Sequence, residues 1–319
     1  MDWLDAGDNG PLIAVRAIHF AATAVVTGTV VFRAMVAGPL LRSEQAAAGR
    51  FRAQSLGVVW TALAIAAASG VIWLLLQAAA MSGLPVGEAM TPSTLSTVAN
   101  QTQFGMVSEI RLGLAVVLAA CLAYDRLALT DRLAPAVAIG LSGALAWSGH
   151  GGSTPGPLGN LHLAADVLHL IAAASWIGGL VPLVLLLALA RHHPSLGSAS
   201  VASDSAQRFS TLGIVSVATL LASGIVNAWI LVGSFTALLA TQYGQLLMLK
   251  IMVFALMLGF AAVNRLALTP RLAGSPESSA RIEALRRLTR NSVVEIGLGF
   301  IIFAMVGMLG TLHPAIHLM

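Results

Sequence analysis

Long apolar segments recur along the whole chain, and they constrain the fold more than any other feature. A helix rises 1.5 Å per residue, so about 20 apolar residues cross the roughly 30 Å of hydrocarbon in a membrane. The segments do not alternate apolar and polar residues, as the strands of a transmembrane barrel would. With 57% hydrophobic residues, 9% charged residues and a mean hydropathy of +0.87, the composition also lies outside that of soluble domains. The sequence therefore predicts an all-α, polytopic membrane helix bundle.

The apolar segments and the charges between them predict a topology. We predict eight transmembrane helices, at about 12–40, 55–80, 104–124, 133–149, 160–190, 210–234, 244–266 and 291–312. Of the 17 Lys and Arg residues, 13 fall in alternate connections, and the other connections contain none. Connections rich in Lys and Arg face the cytoplasm. Both termini are then predicted on the outer side, and residues 1–319 are predicted to form a single membrane domain without a short-period repeat.

Two features are predicted at the cytoplasmic side. The segment 275–290, SPESSARIEALRRLTR, places Ile282, Leu285 and Leu288 between arginines, which is typical of a short amphipathic helix on the membrane surface. Glu295, near the inner end of the last predicted span, is expected to pair with a cytoplasmic arginine. The one cysteine, Cys121, excludes an internal disulfide and a Cys-x-x-Cys site.

Ionisable residues inside the predicted spans are the candidates for function, because placing such groups in hydrocarbon is costly. The stretch 161–170 reads LHLAADVLHL, and at 100° per residue His162, Asp166 and His169 lie within about 60° of one another. His162 and His169 are about 10.5 Å apart along the helix, too far to bind one ion together. Asp166 lies between them, where it is able to share an ion with either or to orient an imidazole.

Six of the eight histidines are predicted near the outer face, and they suggest a metal site. The candidate ligands are His19, His150, His162, Asp166, His169, His313 and His317. His19 and His169 come at the same predicted depth, roughly 12 Å below the surface. The residues therefore predict either successive stations along an entry route or one site at the depth of His19 and His169, with the other histidines capturing the ion at the mouth.

Other residues are candidates for the pathway or for supporting the ligands. They are Glu109, Arg111, Trp176, Met248, Lys250 and Met252. Glu109, Arg111 and Lys250 are expected to pair with each other or with Asp166, which lowers the cost of burying them. Imidazole binds Cu, Zn, Fe and Ni, whereas thioether selects Cu(I), so the residue types leave the metal and its oxidation state open.

Several motifs resemble the copper resistance D family. They are ADVLHLIAAASWIGGL at 165–180, RFSTLG at 208–213, ASGIVNAW at 222–229, TQYGQLLMLK at 241–250 and SVVEIGLG at 292–299, and the similarity is strongest over about 160–312. The resemblance implies a multi-pass protein of the bacterial inner membrane that carries copper ions from the periplasm toward the cytoplasm. It also implies a periplasmic copper-binding donor of the copper resistance C type.

The sequence thus favours a copper-binding membrane transporter whose partners are copper, the lipid bilayer and a donor protein, with no nucleic acid. A b-type haem protein that transfers electrons, with His19 and His169 as axial ligands, is one alternative. A scaffold or copper-binding subunit without transport is another. No G-x-x-x-x-G-K-[ST] motif or Gly-x-Ser-x-Gly motif occurs, so neither ATP-driven transport nor an enzyme is expected.

Overall fold

The computed structural model describes residues 9–40, 45–192, 196–274 and 278–317, but not the side chains of residues 45–47, 196–199, 274, 278 and 317. Every regular element within these ranges is helical, which confirms the all-α prediction. The α-helices are α1 (Gly10–Phe32), α2 (Gly38–Leu40), α3 (Gln45–Ser82), α4 (Val86–Ala89), α5 (Pro92–Gln101), α6 (Gln103–Ala123), α7 (Thr130–Gly143), α8 (Gly156–Ala173), α9 (Gly179–His192), α10 (Leu196–Val232), α11 (Phe235–Ala240), α12 (Gln242–Val263), α13 (Thr269–Gly274) and α14 (Ser278–Leu309).

Short π-helical turns join several of these helices without breaking their direction. They cover Arg33–Ala37, Ala174–Gly178 and Asn264–Leu268. Because of them, α8 and α9 form one membrane-length segment, as do α12 and α13. A π-turn carries one extra residue and is frequent at functional sites. The turn Ala174–Gly178 follows directly after the helix that carries His162, Asp166 and His169.

Seven segments of the described chain are long and apolar enough to cross a membrane. They are Gly10–Leu40, Ala48–Ser82, Gln103–Ala123, Gly156–His192, Ser200–Val232, Gln242–Ala273 and Ser279–Leu309. The predicted span 133–149 instead forms α7 followed by a 3-10 helix, Ala144–Ser148. These two together extend roughly 31 Å, at about 1.5 Å per residue in the α-helix and 2.0 Å in the 3-10 helix. The count of eight spans and the outer position of the termini stay predictions.

The last long helix differs from the sequence prediction. Residues 275–290 were expected as a separate surface helix; 275–277 lie outside the described residues, and 278–290 are the first turns of α14, which continues without interruption to Leu309. Leu285 and Leu288 are buried against the rest of the bundle, whereas Ile282 is exposed. The amphipathic pattern was therefore correct, but the separate helix was wrong, because the apolar face packs on protein instead of lying on lipid.

Helix α1 forms the centre of the bundle, where it packs against α3, α7, α9 and α14. Its crossing with the segment after α8 is very close, because Gly28 lies directly against Gly178. A Cβ on Gly28 would overlap the backbone of Gly178, and a Cβ on Gly178 would overlap the carbonyl of Ala24. Small residues allow such backbone contact between membrane helices. This crossing fixes how the two histidine-bearing helices face each other.

An ion-pair cluster joins three segments at the predicted cytoplasmic end. The Asp125 carboxylate, in the connection between α6 and α7, accepts hydrogen bonds from Arg33 Nη2 at 2.8 Å and from Arg52 Nε at 3.0 Å. Burial raises the pKa of Asp125, but the hydrogen bonds and charges of Arg52 and Arg33 together lower it by more. The pKa of Asp125 therefore lies below its usual value. The cluster therefore holds a charged carboxylate between the π-helical turn after α1 and helix α3.

The expected pairing of Glu295 with an arginine was wrong. Glu295 is 1% exposed, and its Oε1 accepts a hydrogen bond of 2.6 Å from Asn264 Nδ2. The Oδ1 of Asn264 in turn accepts from Asn291 Nδ2 at 3.0 Å. Amide side chains on α14 and on the π-turn after α12 therefore take the place that the sequence reading gave to a cation.

Candidate metal centre

His19 lies in α1 with both of its ring nitrogens engaged. Its Nδ1 is 3.0 Å from Ser69 Oγ in α3, and that hydroxyl donates its own proton to the carbonyl of Ile65 at 2.6 Å. Ser69 must therefore accept a hydrogen bond from Nδ1–H. Arg111 Nη2 in α6 donates to His19 Nε2, because a guanidinium has no acceptor. The lone pair of His19 thus points at a cationic side chain.

His169, in α8, also has a serine hydroxyl as the partner of Nδ1, but the charged residue near its ring is different. Its Nδ1 is 2.9 Å from Ser223 Oγ in α10, and Ser223 donates its proton to the carbonyl of Thr219 at 2.6 Å. His169 Nδ1–H is therefore the donor, and the Nε2 atom carries the lone pair. The Lys250 ammonium in α12 is close enough to His169 and Asp166 to interact electrostatically with both.

The residues around His19 and those around His169 are related by an internal duplication, which we did not predict from the sequence. His19 and His169 each precede a close-packed glycine by nine residues, at Gly28 and Gly178. Each contacts a Ser-Gly pair in the next long helix, 69–70 or 223–224. The segments TQFGMVSEIR at 102–111 and TQYGQLLMLK at 241–250 then supply Arg111 and Lys250 at equivalent positions. We call α1–α7 the first half and α8–α14 the second half.

The duplication extends to the local structure that places each cation. Thr102 and Thr241 cap the N-termini of α6 and α12, and each hydroxyl accepts from the backbone N–H three residues later at 3.0 Å. A short helix precedes each cap, α5 in one half and α11 in the other. Repeats in the same orientation occur in several transporter folds. The paired TQFG and TQYG segments were the sequence signal that could have revealed the duplication.

His162 lies in the N-terminal part of α8 and is 1% exposed. Its Nδ1 is 2.8 Å from Thr154 Oγ1, and Thr154 donates to the backbone carbonyl of His150 at 3.2 Å. As with His169, the ring therefore donates from Nδ1–H and keeps its lone pair on Nε2. His150 lies near enough for an electrostatic interaction with His162.

The loop that carries His150 closes over Asp166. His150 Nε2–H donates to the carbonyl of Leu309 at 3.3 Å, and its ring meets Tyr243 edge-on with 6.1 Å between centroids. A Cβ on Gly151 would lie 3.1 Å from Asp166 Oδ2. The other carboxylate oxygen, Oδ1, accepts a 3.3 Å hydrogen bond from Asn227 Nδ2. His150, in the loop before α8, thus lies near His162 and Asp166 at the N-terminal end of α8, with His169 one to two turns further along the helix.

The other candidate ligands are not part of this gathering. His19 belongs to the first-half cluster, His313 is exposed, and the His317 side chain lies outside the described residues. Within the described part of the chain, no three or more His, Cys, Asp or Glu side chains form a group that could hold a metal ion. Which of these candidate ligands share one ion therefore stays a prediction.

The predicted supporting residues separate into buried and exposed ones. Trp176 is buried and meets Phe254 edge-on at 6.0 Å between ring centroids. Met248 is half-buried, whereas Met252, also in α12, is 67% exposed. Glu109 is exposed as well and is not the partner of Arg111. Among the described residues no ion pair within 4.0 Å joins Lys250 to Asp166, but the two side chains are close enough for an electrostatic interaction.

Family models match both halves of the chain. The model described as copper resistance protein D matches residues 203–309, and the model of the copper resistance protein D-like N-terminal domain matches residues 5–160. The copper resistance protein D of Pseudomonas syringae pv. tomato is 32% identical over 68% of this chain and 71% of its own length. The chain belongs to the copper resistance protein D family.

Two further relatives are similar over very different lengths. The inner membrane protein YebZ of Escherichia coli is 29% identical over 95% of this chain and 98% of its own length. The copper transport protein CutJ of Bacillus subtilis is 35% identical over 31% of this chain, but over only 18% of its own length. No solved structure has significant similarity to the chain. This copper resistance D protein is therefore a copper-related, multi-pass membrane protein.

Proposed function

We propose that this copper resistance D protein binds copper ions with the second-half histidines at the outer face of the inner membrane and moves them toward the cytoplasm. One observation carries the proposal. His162 and His169 each donate Nδ1–H to a hydroxyl group that is itself fixed by a backbone carbonyl. Metal-binding histidines are usually oriented in this way, with the other nitrogen left for the metal. Both rings thus present Nε2 for coordination.

The spacing of the ligands suggests two successive stations. Asp166 is four residues after His162 and three before His169, and side chains three or four residues apart are neighbours on a helix. A copper ion captured near His150 and His162 would therefore reach Asp166 next and His169 after it. A separate periplasmic copper-binding protein is the proposed donor.

Lys250 gives this route a competing positive charge. Its ammonium is close enough to Asp166 and His169 for electrostatic interaction with both, so an arriving cation competes with the lysine for the carboxylate. Conduction requires binding that is strong enough for entry and weak enough for release. In this proposal Lys250 limits the affinity of the site, and Trp176, seven residues further along the helix, closes the route on the inner side. The role is transport and not catalysis.

A haem between His19 and His169 is less well supported. It would need the Nε2 atom of both rings, whereas His19 Nε2 accepts a hydrogen bond from Arg111. The scaffold alternative requires only that the histidines hydrogen-bond between helices, as both do with serines. Copper measurements distinguish it from transport.

Copper accumulation in cells tests the proposal. Cells that express the wild-type chain are expected to accumulate more copper than cells without it, and the double variant His162→Ala/His169→Ala is expected to lose this excess. His192→Ala, at the exposed end of α9, is the control and should keep it. A wild type that lowers cellular copper would contradict the inward direction, and a double variant with unchanged accumulation would contradict the assigned residues. Membrane levels of each variant are compared by immunoblot.

A further inference from the structure

The first-half cluster contains buried hydrogen-bond donors that have no acceptor. The Nε atoms of Arg16 and Arg111 and the Nε1 atom of Trp73 are buried without a hydrogen-bond partner among the described residues. Both arginines are 5% exposed, and they come from α1 and α6, whereas Trp73 comes from α3. Their guanidinium carbons lie 5.0 Å and 5.2 Å from the centre of the Trp73 ring. Three helices thus bring unpaired N–H groups to one place.

The same cluster also carries uncompensated positive charge. An arginine side chain keeps its proton in proteins, so the two guanidinium groups contribute two charges. Arg111 donates to His19 Nε2 and to Ser148 Oγ, which are both neutral acceptors. Within the described ranges, no carboxylate pairs with Arg16 or Arg111. Contact with the Trp73 ring stabilises a cation but does not neutralise it.

Comparison with the second half shows which kind of ligand is missing. By the duplication, Arg16 corresponds to Asp166, Trp73 to Asn227 and Arg111 to Lys250. The second half therefore contains a carboxylate together with Asn227 Oδ1, a buried acceptor that has no donor among the described residues. The first half thus places two guanidinium groups and an indole N–H where the second half has a carboxylate, an amide and one ammonium, so only the first half has a net positive charge. The same scaffold is thus suited to a cation in one half and to an anion in the other.

We propose that the first half binds a small anion between Arg16, Arg111 and Trp73. The ligand is a negatively charged hydrogen-bond acceptor, either a halide or a small oxyanion such as a carboxylate or phosphate. It is small because the bundle is tightly packed at this point: the Arg16 guanidinium lies so close to Gly310 at the end of α14 that a Cβ there would overlap it. The anion would balance the positive charge beside the copper route.

Thermal unfolding of the purified full-length chain in detergent tests this proposal. Chloride, acetate and phosphate are each titrated against methanesulfonate at constant ionic strength. At tenfold excess over Kd, a ligand of the folded state raises the Tm of a chain of this size by roughly 2–4 °C. We expect a saturable rise with at least one anion, and the anion that produces it identifies the ligand as a halide, a carboxylate or a phosphate. A wild type without any saturable rise overturns the proposal.

Variants of the cluster residues test whether the anion that raises the Tm binds there. Arg16→Gln and Arg111→Gln are expected to abolish the rise, whereas Arg265→Gln, an exposed arginine outside the cluster, should retain it. If the first two variants do not fold, Trp73→Phe keeps a ring but removes the N–H donor, and its apparent Kd should increase at least threefold. A rise that is unchanged in every cluster variant that folds overturns the proposal. Copper content is measured on the same samples, so a failure of the copper site is seen separately.

Discussion

At the scale of single residues, three hydroxyl groups determine which nitrogen each histidine presents. Ser69, Ser223 and Thr154 each give their own proton to a backbone carbonyl, so each accepts a proton from Nδ1–H of its histidine. The Nε2 atoms of His19 and His169 then differ only in their surroundings. His19 faces the guanidinium of Arg111, whereas His169 lies near the Lys250 ammonium and one turn from Asp166.

Removing the hydroxyl groups tests this assignment with a matched pair of variants. Ser223→Ala is expected to weaken copper binding about 10–100-fold, which is the usual loss when a group that orients a metal ligand is removed. Ser69→Ala removes the same contact in the first half and should leave copper affinity unchanged. Competition with a chromophoric copper chelator measures both. Equal losses in the two variants would contradict the assignment of copper to the second half.

At the scale of the helices, the crossing of α1 with the segment after α8 organises the bundle. The sequence predicted most helices correctly, because apolar runs of membrane length have few other ways to satisfy their backbone hydrogen bonds. It did not predict which helix faces which, because that depends on contacts such as Gly28 with Gly178, which are distant in sequence. For the same reason the partners of His19 in α3 and α6 were not predicted.

Filling this crossing is expected to destabilise the protein. Gly178→Ala places a methyl group where the carbonyl of Ala24 lies, and overpacking of this kind typically costs about 1–3 kcal/mol. Gly57→Ala in α3 is the control, since a Cβ there has no neighbour within 4 Å and alanine favours helix. Thermal unfolding in detergent should show a lower Tm for Gly178→Ala only. Equal Tm values for Gly178→Ala and the wild type would show that the crossing is less tight than described.

At the scale of the whole molecule, two related halves differ in the charge that they place beside their equivalent histidines. The sequence pattern identified His162, Asp166 and His169 as one face, because they share a helix and helical spacing is local. Arg16 was missed as a candidate, since its importance follows only from the contact with Trp73 and from its correspondence to Asp166. The duplication thus explains why similar residues serve different roles.

Labelling of single cysteines tests the predicted orientation of the molecule. Cys121, the one cysteine, is buried, so Cys121→Ser provides a background. Ser153→Cys, in the exposed loop before α8, should react with a membrane-impermeant thiol reagent added outside spheroplasts. His192 is the last residue of α9 and lies at the other end of the membrane-length segment Gly156–His192. His192→Cys should therefore react only after the membrane is permeabilised. The reverse pattern would contradict the positive-inside topology and with it the outer position of the copper site.

Equilibrium copper binding to the purified His169→Ala and His19→Ala variants tests the central claim most directly. The two substitutions remove equivalent rings from the duplicated halves, and because His19→Ala also leaves Arg111 without its histidine acceptor, both variants are first checked for folding by their Tm. The account predicts that His169→Ala lowers the number of copper ions bound per chain or weakens binding at least tenfold, and that His19→Ala binds copper as the wild type does. Loss of copper binding in His19→Ala with wild-type binding in His169→Ala would contradict it.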